Sequence, residues 1–126
     1  MKIIAHRGAS FLLPENTLLS IGNALDVGVD MVEIDVRQSS DGEVVVFHDA
    51  TLDRTTNGTG LVKDKTLLEL KKLDTGHGET IPTLSEVLKL VNSKLDKVSK
   101  YKVQPSIIIE IKEPGIEKEV LDIIKK

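Results

Sequence analysis

Short β-branched apolar runs alternate with helical stripes along this chain, and that alternation leaves few folds open. The runs are Ile3-Ile4-Ala5-His6-Arg7-Gly8, Met31-Val32-Glu33-Ile34-Asp35-Val36, Val44-Val45-Val46-Phe47-His48-Asp49 and Ile107-Ile108-Ile109-Glu110-Ile111-Lys112. Runs this short and this apolar read as strands covered on both faces. The first helical pattern follows Pro14-Glu15, with Asn16 as N-cap, Leu18, Ile21 and Leu25 as its stripe, and Gly28 as its stop. Thr66 with Glu69, and Thr83 with Glu86, form capping boxes, the second leading into a stripe of Leu84, Val87, Leu88, Val91 and Leu95. A last helix follows Pro114-Gly115 and is expected to bury Ile116, Val120, Ile123 and Ile124. Ser39-Ser40-Asp41-Gly42 reads as a tight turn joining the second and third strands without a helix. Strands alternating with helices predict an α/β fold: a largely parallel sheet, helices outside it, right-handed crossovers. In such sheets a site lies at the carboxyl ends of the strands. His6, His48, Glu110 and Lys112 fall there.

Composition narrows the function. With 126 residues the chain holds one modest core, and aromatics at 2% leave that core to Ile, Val and Leu. A net charge of −3 with mixed signs gives no basic stripe for nucleic acid. No cysteine is present, so thiolate chemistry is excluded. No stretch approaches the roughly 18 apolar residues of a membrane span. The first strand is expected from about Lys2, which leaves no room for a signal peptide, and a soluble, cytoplasmic protein is the expectation.

Ionisable groups on buried strands are costly unless paired or bound to metal. Strand alternation puts Glu33 and Asp35 on one face, and Glu110 and Lys112 on one face. If these faces share an interior, three carboxylates meet, and hard oxygen ligands favour Mg²⁺ or Ca²⁺ over zinc. The alternative is that Glu33 and Asp35 face solvent on a half-buried strand. His6 and His48, at matching strand ends, suit general acid–base work, since imidazole titrates near pH ~6.5. Cleaving a phosphodiester needs one base for the attacking hydroxyl and one acid for the leaving alkoxide. Arg7 and Lys112 are natural phosphate partners, or else simple ion-pair partners of Glu33, Asp35 or Glu110. With a divalent cation and a phosphodiester in place, the charges of these groups sum to about zero. His77, in Thr75-Gly76-His77-Gly78, reads as a solvated loop residue, and Asn57-Gly58-Thr59-Gly60 as a turn rather than a phosphate cradle.

His6-Arg7-Gly8, Pro14-Glu15-Asn16-Thr17, Glu33-Ile34-Asp35-Val36, Asp41-Gly42 and Val46-Phe47-His48-Asp49 follow one another as in glycerophosphodiester phosphodiesterases. Leu52-Asp53-Arg54-Thr55-Thr56 through Gly60, Ile81-Pro82-Thr83-Leu84 and Glu110-Ile111-Lys112 continue the resemblance over nearly the whole chain. It implies a TIM-like barrel that hydrolyses glycerophosphodiesters to glycerol 3-phosphate and an alcohol with a divalent cation. By position, His6 and His48 resemble the family's acid–base pair. Glu33, Asp35 and Glu110 resemble its metal ligands, and Arg7 and Lys112 its phosphate contacts. The resemblance also implies attack by the neighbouring glycerol hydroxyl to give a cyclic phosphate that water later opens. Residues 51–81 correspond to a small insertion over the site, and Asn16, Asp49 and Arg54 to residues that hold loops.

The departure is length, because an eight-unit barrel takes roughly 200 to 250 residues. The expectation is therefore the N-terminal half of a TIM-like barrel, with residues 1–126 as one partial domain. Its open sheet edges imply a fragment, a second chain that completes the barrel, or two associating copies. The alternative function is a non-catalytic half-barrel that binds phosphate or metal and needs a partner chain. An unrelated α/β domain with structural strand-end charges is a third reading. A relative acting on intact lipids would need an apolar membrane-binding surface, which the scarcity of aromatics does not support.

Overall fold

The computed structural model describes residues 1–97 and 105–126. Its elements in chain order are β1 (Ile4–His6), α1 (Leu18–Val27), β2 (Met31–Gln38), β3 (Val44–Val46), a 3-10 turn at Val62–Asp64, α2 (Leu67–Lys71), α3 (Leu84–Lys97), β4 (Ser106–Ile111) and α4 (Glu117–Ile124). β2 is the centre of the sheet. β1 pairs with its first half in parallel, Ile4 opposite Met31 to His6 opposite Glu33. β3 pairs with its second half in antiparallel fashion, Val36 opposite Val46. β4 runs parallel along the other edge, from Met31 opposite Ser106 to Val36 opposite Ile111. The sheet is thus parallel apart from the β2–β3 hairpin, whose turn is the expected Ser39–Gly42 segment.

Helices α1, α3 and α4 cover one face of this sheet. Ile21, Ala24 and Leu25 of α1, Leu84, Val87 and Val91 of α3, and Val120 of α4 pack with Val32, Ile34 and Val36 of β2 in one buried cluster. A second cluster, Val45, Phe47, Leu52, Val62, Leu70 and Ile81, gives residues 51–81 an apolar centre of their own beside β3. No helix among the described residues is long and apolar enough to cross a membrane.

Several local expectations need correction. The N-cap of α1 is Thr17, not Asn16: Thr17 Oγ1 accepts from Ser20 N–H, and Ser20 Oγ accepts from Thr17 N–H. Asn16 has φ +56 and turns its side chain inward instead. The third strand stops at Val46, short of His48. Ile124, expected inside, is 48% exposed, whereas Ile116 and Val120 are buried. At Thr83 the box is half made: Glu86 N–H donates to Thr83 Oγ1, while the Glu86 carboxylate takes Lys71. The Thr66–Glu69 box and the Gly28 stop, with φ +91, are as expected.

Candidate active site

The register of three parallel strands assembles the site. Residues opposite one another across a parallel pair point to the same face. His6 lies opposite Glu33, and Asp35 opposite Glu110. His6, Glu33, Asp35 and Glu110 therefore rise from the face opposite α1, α3 and α4. One oxygen from each of the three carboxylates lies within 4.8 Å of the other two, a spacing that suits a single metal ion. The solvent-facing alternative for Glu33 and Asp35 is excluded: Asp35 is fully buried and Glu33 is 8% exposed.

Asp35 is the hub. Its Oδ2 accepts from Asn16 Nδ2 at 3.0 Å and faces Arg7 Nε at 3.4 Å. Its Oδ1 lies 3.7 Å from Lys112 Nζ. Lys112, just past the end of β4, is held by Glu110 at 2.8 Å, which keeps the Glu110 carboxyl below its usual range and raises the Lys112 ammonium. Glu33 behaves oppositely. Burial, and then the neighbouring Asp35 and Glu110 charges, push its carboxyl from 4.5 up to about 7. His6 Nε2 sits 3.1 Å from Glu33 Oε2.

Backbone geometry explains how Arg7 arrives there. Arg7 has φ +58 and Gly8 φ +78, so the chain folds back directly after β1. A Cβ on Gly8 would lie 2.6 to 2.8 Å from Ser20 Oγ, Ser20 C and Ile21 N, so only glycine lets this turn rest on the first turn of α1. The turn is tied by Ala9 N–H to Ser20 O and by Asn16 N–H to Arg7 O. Two non-glycine residues with positive φ, Arg7 and Asn16, thus both reach Asp35, the kind of local strain that clusters at functional sites.

The arrangement fits a divalent cation. Buried Glu33 Oε1 and Oε2 and Asp35 Oδ1 have no hydrogen-bond partner among the described residues. These oxygens, with the Glu110 carboxylate beside them, make a hard oxygen donor set of the kind that suits a divalent cation. His48 is near enough to this cluster to be the weakest of the influences that hold the Glu110 carboxyl down. It follows β3 and is fixed by contacts that the sequence reading assigned to loop holding. His48 Nδ1 is 2.6 Å from Asp49 Oδ1, and Arg54 donates to both Asp49 and Glu15. Glu15, missed in the sequence, also receives Arg7 Nη1 at 3.3 Å. Its only sequence signal is its place in Pro14-Glu15-Asn16-Thr17. His77 is exposed in its glycine-flanked loop, as expected.

A half-open parallel sheet with acidic, imidazole and cationic groups at the carboxyl ends of its strands is half of a TIM-like barrel, carrying the site where such barrels carry theirs. The Glycerophosphoryl diester phosphodiesterase family model matches residues 6–126, and the chain belongs to that family. It is 45% identical to the glycerophosphodiester phosphodiesterase of Caldanaerobacter subterraneus subsp. tengcongensis, over 98% of this chain and 52% of the relative. With the glycerophosphodiester phosphodiesterase of Bacillus altitudinis it shares 42%, over 98% of this chain and 52% of the relative. Among solved structures, a phosphodiesterase of Oleispira antarctica in complex with the product sn-glycerol-3-phosphate superposes with a TM-score of 0.87 at 38% identity, covering 100% of this chain and 52% of that one. A glycerophosphodiester phosphodiesterase of Agrobacterium tumefaciens gives 0.85 at 36%, covering 99% and 52%. The chain spans about half the length of the relatives it matches.

Proposed function

We propose that this chain carries the catalytic half of a metal-dependent glycerophosphodiester phosphodiesterase, which releases glycerol 3-phosphate and an alcohol. The observation that carries the reading is the convergence of Glu33, Asp35 and Glu110 beside His6, with His48 in electrostatic reach of Glu110. In this reading Glu33, Asp35 and Glu110 hold Mg²⁺ or Ca²⁺. The bound ion supplies Lewis-acid polarisation of the phosphoryl oxygens and charge neutralisation. Arg7 and Lys112 face the phosphate as cations already oriented by Asp35 and Glu110. One histidine takes the proton of the glycerol hydroxyl next to the phosphodiester. That oxygen attacks phosphorus to give a cyclic phosphate, and the other histidine protonates the departing alkoxide. Water, activated in the reverse sense, opens the cyclic ester.

In this reading the rest of a barrel joins at the sheet edges. The outer edges of β1 and β4 have no strand partner among the described residues. On the face that carries the site, Ile4 and Ile108 are exposed. We assign these edges to a complementary half-barrel, on the same or another chain, with residues 51–81 as a small insertion beside the site.

The test is hydrolysis of glycerophosphocholine, glycerophosphoethanolamine and glycerophosphoglycerol, followed by phosphorus NMR. His6→Ala and His48→Ala are each expected to lower the rate by about 100-fold or more, and EDTA to abolish it until Mg²⁺ or Ca²⁺ is restored. Full activity in either variant, or in EDTA, overturns the reading. A chain that binds the cation but turns nothing over, even with the complementary half supplied, is the binding module instead.

A further inference from the structure

The loop after β3 contains a chain of charged contacts that the proposed chemistry does not use. His48 Nδ1 lies 2.6 Å from Asp49 Oδ1. Arg54 grips the same carboxylate with two bonds, Nε to Oδ2 at 2.8 Å and Nη2 to Oδ1 at 3.0 Å. Its guanidinium also grips Glu15, Nη1 to Oε1 at 2.9 Å and Nη2 to Oε2 at 3.0 Å, across 39 positions of sequence. Neighbouring residues of a strand point to opposite faces, so His48 and Asp49 could not meet if β3 continued. The strand ends at Val46 instead, and Arg37 Nε holds the His48 carbonyl at 2.9 Å. The backbone is fixed on one side of the imidazole and the carboxylate on the other.

We propose that Asp49, anchored by Arg54, is the positioning residue of His48: it accepts the Nδ1–H, fixes the tautomer that leaves the lone pair on Nε2, and aims Nε2 at the reacting oxygen. This rests on the acid–base reading of His48 given above. An imidazole alone in a loop exchanges between two tautomers and rotates about two torsions. A carboxylate on Nδ1 removes that freedom and makes Nε2 the acceptor in the neutral ring and the donor in the charged one, so it serves either role. Asp49 could rotate away or take a proton itself. The planar, permanently charged fork of Arg54 prevents both, and Glu15 holds the fork in place.

Nitrogen-edited NMR of the whole chain, at a pH where the imidazole is neutral, reads the tautomer without needing turnover. His48 is assigned by the signal lost in His48→Gln. The native chain is expected to show Nδ1–H at His48. In Asp49→Ala the population should move to Nε2–H. In Arg54→Ala it should move part of the way, and Arg54→Lys should recover some of the native state. Where hydrolysis is measured, Asp49→Ala is expected to lower kcat by about 100-fold with KM and cation affinity unchanged. Nε2–H in the native chain, or one unchanged tautomer in Asp49→Ala, overturns the proposal. If His48→Gln retains full hydrolysis while the tautomer still answers to Asp49, the acid–base reading fails and the contact stands.

Discussion

β2 and β4 lie side by side in register over six residue pairs, and each contributes carboxylate to the same cluster, yet their surroundings differ sharply. Val32 to Val36 of β2 are all buried, because the strand is bonded on both edges and covered by helices on one face and by its own polar partners on the other. β4 alternates. Ile107, Ile109 and Ile111 lean on the helix-covered core, while Ile108, at 40% exposure, and Glu110 look out. Pairing fixes register, but burial depends on what covers each face. Asp35 is therefore locked by three partners, Arg7 and Asn16 from the β1–α1 connection and Lys112 from beyond β4, whereas Glu110 is held by Lys112, two residues further along the chain. One side of the site is built into this half-barrel. The other side is positioned by the sheet and left open at β4.

That contrast breaks most easily at the two carboxylates. Asp35→Asn is expected to weaken Mg²⁺ or Ca²⁺ binding by about 100-fold or more. It should also lower stability by about 3 kcal/mol, since it removes the buried charge that faces Arg7 Nε and Lys112 Nζ. Glu110→Gln should weaken binding by only about 10-fold and leave the unfolding midpoint in place. Calorimetric titration and denaturant unfolding measure both, and equal losses at the two positions would sink the comparison. The apolar counterpart is smaller. Ile34→Ala, in the sealed strand, is expected to cost about 2–5 kcal/mol. Ile108→Ala, at the open face, should cost less than about 1 kcal/mol. A loss at Ile108 that matches Ile34 and grows with protein concentration would mean that a second copy already covers β4 in solution.

The legible part of this molecule is the part that local physics fixes. Alternation of β-branched runs with capped stripes gave the parallel sheet and its helices, because each pattern has one period and one way to bury its apolar side. Strand parity brought Glu33, Asp35 and Glu110 together, for the pairing of parallel strands is itself regular. The positive-φ turn at Arg7 and Gly8, the inward Asn16 and the early end of β3 were not legible. They depend on contacts between segments far apart in the chain: Gly8 against Ser20, Asn16 against Asp35, Arg54 against Glu15. Asn16 was misread as a cap because asparagine satisfies a helix N-terminus and a buried carboxylate with the same amide group. Ile124 was misread because a helical stripe shows which side is apolar, not how far the neighbouring surface extends.

The least disruptive way to sharpen the contrast is to leave the chain intact and titrate it. Glu33 is raised to about 7 from an ordinary 4.5, first by burial and then by the charges of Asp35 and Glu110. Between these values the folded chain holds a proton that the unfolded chain has released. Linkage then makes the fold lose stability as pH rises across that window, with the full contribution present below about 4.5 and gone above about 7. Glu110, lowered by its bond to Lys112, acts in the opposite sense and at lower pH, where its contribution disappears as acid is added. Melting temperatures of chelator-treated protein should therefore fall from pH 4.5 towards 7 in the native chain and in Glu110→Gln, and stay level in Glu33→Gln. Saturating Mg²⁺ or Ca²⁺ should remove the native slope, because a cation on the ionised carboxylates does what the proton on Glu33 does without it, and binding near pH 6 should release protons. A native profile that is flat without cation, or a slope that survives Glu33→Gln, would place the burden of the buried charge somewhere other than β2.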